Sequence, residues 1–118
     1  MSMKTLCALR DLTMALEIYE KDFQSAHGLS LKEGMLLCCI AEQQITASDI
    51  ACKIDMTNSN CSKVIKSVEQ KGYIERSFGV KDKRHMLFLL TDAGKACMEK
   101  IQQDEVPVPV LLKKLIAT

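Results

Sequence analysis

The chain has 118 residues, 47% of them apolar and 26% charged, a composition that suits one domain with a modest core and excludes a disordered or low-complexity chain. Its longest uninterrupted apolar run, Met35 to Ala41, is seven residues, against the roughly twenty that cross a bilayer. The opening residues through Cys7 lack the apolar stretch of a signal peptide, so a cytoplasmic protein with no membrane partner is expected. The net charge of +1 hides an uneven distribution. Residues 57–90 hold seven basic side chains (Lys63, Lys66, Lys71, Arg76, Lys81, Lys83, Arg84) against three acidic ones (Glu69, Glu75, Asp82), a net of +4. A local basic surface attracts a phosphate backbone even when the whole chain is nearly neutral.

In chain order, residues 4–24 read as an amphipathic helix, with Leu6, Leu9, Leu12, Leu16, Tyr19 and Phe23 recurring at steps of three and four. Gly28 breaks it. Ser30-x-x-Glu33 has the spacing of a capping box, and Leu31, Met35, Leu36, Cys39 and Ile40 give the next helix a broad apolar surface. Thr46-x-x-Asp49 opens a short helix over 47–54, with Ile50, Ala51 and Ile54 inward. Asp55-Met56 is a turn, and Thr57 caps a third helix to about Lys71, with Cys61, Val64 or Ile65, and Val68 facing the core. Gly72 closes that helix in the left-handed position. The period then changes. Residues 73–77 alternate and 86–90 form a short apolar run across a charged loop containing Gly79, which together predict a β-hairpin. Thr91 caps a last helix over about 92–104, with Ala93, Cys97 and Ile101 on one face. Pro107 and Pro109 impose extended chain, and the apolar tail 110–116 is expected to pack on its own domain or on a second subunit.

The fold class is therefore mainly α with a small β-hairpin wing (α+β), a winged helix-turn-helix. A short helix, a tight turn and a longer helix with a polar outer face form the helix-turn-helix, whose second helix enters the major groove by its N-terminal half. The outer face of that helix carries Asn58, Ser59, Asn60, Ser62, Lys63 and Lys66. Amides pair with adenine edges, lysine with guanine acceptors, and hydroxyls with bases or phosphates. An ordinary solvated face would carry glutamate, and 57–68 contains no acid. The hairpin loop adds Lys81, Lys83 and Arg84, and arginine suits a narrow, electronegative minor groove. Double-stranded DNA is the expected partner.

Other chemistries find little support. The six cysteines (Cys7, Cys38, Cys39, Cys52, Cys61, Cys97) form no C-x-x-C pair, and the two histidines, His27 and His85, stand far apart. Reduced cysteines packed as small core residues are expected, with no metal site and no cofactor. A Gly-rich phosphate loop and a nucleophile partner for either histidine are both missing, so no enzyme is expected.

Three segments occur in order: Gly72-Tyr73-Ile74-Glu75-Arg76, then Asp82-Lys83-Arg84, then Leu90-Thr91-Asp92-Ala93-Gly94. Together they resemble the MarR family of bacterial winged-helix regulators, from about Leu29 to Ile101. The resemblance implies a sequence-specific transcriptional regulator, a homodimeric repressor, whose wing aspartate (Asp82) orients the wing arginine (Arg84) into the minor groove. It also implies that Ser59, Asn60, Ser62 and Lys63 face DNA. The chain is then one winged-helix domain, 1–118, with a DNA-binding core at 29–101 and dimerisation segments at 1–28 and 102–118. The proline-interrupted C-terminal part is shorter than is usual in the family, which leaves open a smaller dimer or a monomer. The family also implies a small-molecule effector near the dimer interface, for which no residue stands out. Two alternatives remain. One is a thiol-based redox sensor using Cys7, with Arg10 one turn on, or Cys61 within the recognition helix. The other is a winged helix that contacts only proteins.

Overall fold

Segments with a three-to-four-residue apolar period fold as helices, and the alternating pair folds as a hairpin. The computed structural model describes residues 2–78 and 86–116. Its elements are α1 (Met3–His27), α2 (Leu31–Glu42), α3 (Ala47–Lys53), α4 (Asn58–Gln70), β1 (Ile74–Phe78), β2 (Met86–Leu90), α5 (Asp92–Gln103) and α6 (Val110–Ile116). The expected wing residues Lys81, Asp82, Lys83 and Arg84 lie outside the described residues.

Local chemistry sets the helix starts. Ser2, Thr46, Thr57 and Thr91 sit in extended backbone, and each side chain accepts a hydrogen bond from the amide three residues on, at 3.1–3.2 Å. Each cap satisfies one of the free N–H groups at a helix start. The helix ends are as specific. After α4, the Gly72 amide donates to the Glu69 carbonyl and the Tyr73 amide to the Val68 carbonyl, with Gly72 at φ +81°. That is a Schellman closure. After α3 the same pair of bonds recurs, Asp55 to Cys52 and Met56 to Ala51, but the left-handed residue is Asp55, at φ +51°. A short polar side chain tolerates that conformation better than most. The closure fixes the sharp turn between α3 and α4.

The chain divides into two compact units, Leu31–Asp104 and Met1–Ser30 with Glu105–Thr118. In the first, Leu36 and Leu37 of α2, Ile50 of α3, Cys61 and Val68 of α4, and Phe88 of β2 are sealed from solvent. β1 and β2 pair antiparallel with Arg76 opposite Phe88. The sequence did not mark Ile45, which adds a third short β segment. Its carbonyl accepts from the Phe88 amide at 3.0 Å, bridging the hairpin to the residue before the α3 cap.

Four placements differ from expectation. Of the six cysteines expected in the core only Cys61 is buried, whereas Cys7, Cys38 and Cys52 are exposed, because apolar segments put some positions on their outer faces. Met35 is exposed, and Leu37 is buried in its place. α2 is apolar nearly all round, so its period does not specify which stripe turns inward. On α5, Ala93 is exposed and Gly94 buried. On α1, Phe23 is buried, whereas Leu6, Leu9 and Leu16 are each more than 40% exposed. In that second unit α1 contacts α6, and Ala8, Asp11, Leu12, Leu111, Lys114 and Leu115 line a shared groove of about 330 Å³.

Candidate nucleic-acid interface

α4 has two faces. Cys61, Ile65 and Val68 recur at the helical period and are buried, which resolves the Val64-or-Ile65 alternative in favour of Ile65. On the other side Asn58, Ser59, Asn60, Ser62, Lys63 and Lys66 are all exposed. The structure brings these six together over the first three turns of one helix. Among the described residues no ion pair engages Lys63 or Lys66, so both ammonium groups are available to an external anion. The free N–H groups at the start of α4 add positive potential at the same end.

The supports of this helix were not legible beforehand. Glu33 of α2, whose spacing suggested a capping box, points its Oε2 at α4. It accepts from Ser67 Oγ at 2.8 Å and Lys71 Nζ at 2.6 Å. Lys32 Nζ donates to the Ile54 carbonyl at 3.1 Å, placing a cation at the C-terminal end of α3 beside the turn. Arg76 of β1 grips Glu69 of α4 with two hydrogen bonds of 2.8 Å and lies 5.7 Å from the centre of the Phe88 ring. The arginine of the Gly72–Arg76 segment therefore ties the end of α4 to the hairpin.

These bonds hold the Glu69 carboxyl below the usual carboxylate range, chiefly through the Arg76 hydrogen bonds and against a partial desolvation that raises it. A depressed carboxylate pKa stabilises the fold above the unfolded value, near pH 4, and that stabilisation is lost as pH falls through the folded value. Arg76 is half exposed, so solvent screening keeps the pair at about 1 kcal/mol or less. Arg76→Met should lower stability by that amount at pH 7, and the gap to the parent should narrow below about pH 4. Urea titrations at both pH values check it. A pH-independent gap would mean that packing on Phe88, and not charge, holds the arginine.

The thiols speak against redox chemistry at α4. Cys61 is buried, and burial pushes its thiol up, with a smaller push from Cys39. A reactive cysteine needs the opposite shift. Cys7 is exposed, but Arg10, the cation one turn away, is held by Asp11 at 3.2 Å. Among the described residues no cluster of His, Cys, Asp or Glu could hold a metal ion, and no helix is long and apolar enough to cross a membrane.

A short helix, a Schellman turn, a longer helix with a polar outer face and a hairpin bridged to the loop before them define a winged helix-turn-helix. Residues 29–86 match the model of the MarR family, and the chain belongs to that family over this region. No curated protein matches the chain. Among solved structures, AbsC, a MarR family transcriptional regulator from Streptomyces coelicolor, is 22% identical, with a TM-score of 0.76 over 98% of this chain and 80% of AbsC. Another MarR family transcription regulator is 21% identical, with a TM-score of 0.77 over 97% of this chain and 76% of its own. The S. aureus MepR–DNA complex is 17% identical, with a TM-score of 0.64 over 91% of this chain and 83% of MepR. The protein is thus a winged-helix transcription regulator of the DNA-binding class and not an enzyme.

Proposed function

We propose that α4 is the recognition helix, inserted in a major groove with Asn58, Ser59, Asn60, Ser62, Lys63 and Lys66 toward DNA, and that Lys81, Lys83 and Arg84 of the wing, with Asp82 orienting Arg84, contact the adjacent minor groove. The observation that carries this reading is the polar, exposed face over residues 58–66 of α4, a stretch without an acid, opposite its buried stripe. The fold is shared with a relative whose structure is a complex with DNA.

The protein acts in the cytoplasm as a homodimeric repressor. Support for a dimer comes from the unit of α1 and α6, where Leu6, Leu9, Ile18, Leu115 and Ile116 leave a large apolar area in water. Two recognition helices related by a two-fold axis read half-sites about one helical turn apart. A small-molecule effector that alters DNA affinity fits the family, but no polar anchor singles out its site.

Selection of sites from a random duplex pool, at moderate salt with reductant present, tests this directly. An enriched pseudo-palindrome with half-site centres roughly 10 base pairs apart is expected. Enrichment of a single half-site would establish a monomeric reader. No enrichment and no salt-sensitive binding would refute DNA readout and favour a winged helix that contacts proteins.

A further inference from the structure

We propose that Glu33 is a positioning residue for DNA readout: it fixes the rotation and height of α4 and so sets sequence specificity without touching DNA. This rests on the assignment of α4 as the recognition helix.

Glu33 is the one charged residue buried among the described residues, with 9% of its side chain exposed. Taking a carboxylate out of water is expensive, and an apolar side chain at such a place is often neutral or better for stability. Stability alone is therefore a poor account of it. Its geometry suggests another. Oε2 accepts from Ser67 and from Lys71, which are four residues apart and so neighbours on one face of α4. One fixed acceptor that meets donors on two successive turns restrains both sliding along the helix axis and rotation about it. The apolar contacts of Ile65 and Val68 restrain α4 through packing, but hydrophobic attraction is non-directional and selects no single hydrogen-bonded register.

The consequence reaches the outer face. Side-chain tips lie about 6 Å from a helix axis, so a rotation of about 10° moves them by about 1 Å. Hydrogen bonds to base edges weaken steeply over such errors. Phosphate contacts by flexible lysines tolerate them, because a Lys acts as a point charge on a long stem. Losing the Glu33 anchor should therefore degrade discrimination and leave general DNA affinity in place.

The test uses the full chain, the operator recovered by selection, and a scrambled duplex. Glu33→Gln keeps an acceptor for Ser67 but loses the charge facing Lys71. Glu33→Met loses both. Ser67→Ala removes one donor and leaves the charge pair. The measured quantity is the ratio of scrambled to operator Kd, together with the salt slope, at a temperature where circular dichroism shows each variant folded. For Glu33→Met the ratio should fall about tenfold, with scrambled-duplex affinity and salt slope within about twofold of the parent. Glu33→Gln and Ser67→Ala should fall between, and they carry the test if Glu33→Met does not fold. Folded variants with the parent's ratio would overturn the inference alone, leaving Glu33 a stabilising contact only. A parent that does not discriminate between duplexes would overturn the reading of α4, and this inference with it.

Discussion

Gly94→Ala should destabilise the fold by about 2 kcal/mol, although alanine is ordinarily the better helix former by about 1 kcal/mol. Gly94 lies in the first turn of α5 and is buried. A Cβ built there would overlap the backbone carbonyl oxygen of Tyr73, and backbone cannot swing aside as a flexible side chain can. The same carbonyl accepts from the Thr91 amide at 3.0 Å, and Thr91 Oγ donates to the Gly72 carbonyl at 2.6 Å. The turn after α4 and the first turn of α5 are therefore closed on each other at contact distance. Forcing a methyl between them either breaks those bonds or shifts α5, and overpacking of this kind costs about 1–3 kcal/mol or more before the propensity gain is subtracted. Denaturant titration gives the answer through the sign alone. If Gly94→Ala is as stable as the parent, helix propensity has won and the close approach does not constrain the fold.

This contact explains why two of the three segments that carried the family resemblance behave as a unit. Gly72 supplies a left-handed turn and Arg76 a grip on Glu69. Thr91 supplies a cap and a bond back to the turn, and Gly94 the space for the Tyr73 carbonyl. The helices and the starts of α3, α4 and α5 were legible in the sequence because their causes are local: a period, a capping hydroxyl, a glycine after the last turn. The polar face of α4 was legible for the same reason, since amphipathic spacing fixes which residues face out once Cys61, Ile65 and Val68 face in. What escaped has non-local causes. The Ser30-x-x-Glu33 spacing is local, but nothing in it marks Ser67 and Lys71, 34 and 38 residues away, as partners of the Glu33 Oε2. Glu69 and Arg76 are seven apart across a turn, a separation no helical or strand period marks. Ile45 is a single bridge residue with no pattern to announce it. Met35 and Ala93 were placed inward because apolar residues on a short helix do not reveal which of two adjacent stripes the neighbours will cover.

The second large effect concerns DNA. Lys63→Ala should weaken operator binding by about 1–3 kcal/mol, relax preference at one base pair of each half-site, and reduce the steepness of the salt dependence by about one unit. The argument runs from the position of the side chain. Lys63 lies on the second turn of α4, exposed, between Ser62 and the more distal Lys66, where a recognition helix reaches base edges. Among the described residues it has no ion-pair partner, so its removal strands no buried charge and the folding free energy should stay within about 0.5 kcal/mol of the parent. A loss of binding is then a loss of contact and not of structure. Arg84→Ala, in the wing segment, should instead weaken all duplexes by similar factors, because minor-groove insertion reads width and potential more than base identity. The two variants separate direct readout from wing affinity when both are measured on operator and scrambled duplexes across a salt series. Parent-like binding by both would move the DNA surface off α4 and the wing, whereas a uniform loss in Lys63→Ala would make Lys63 a phosphate contact and leave base readout to Asn58, Ser59 and Asn60.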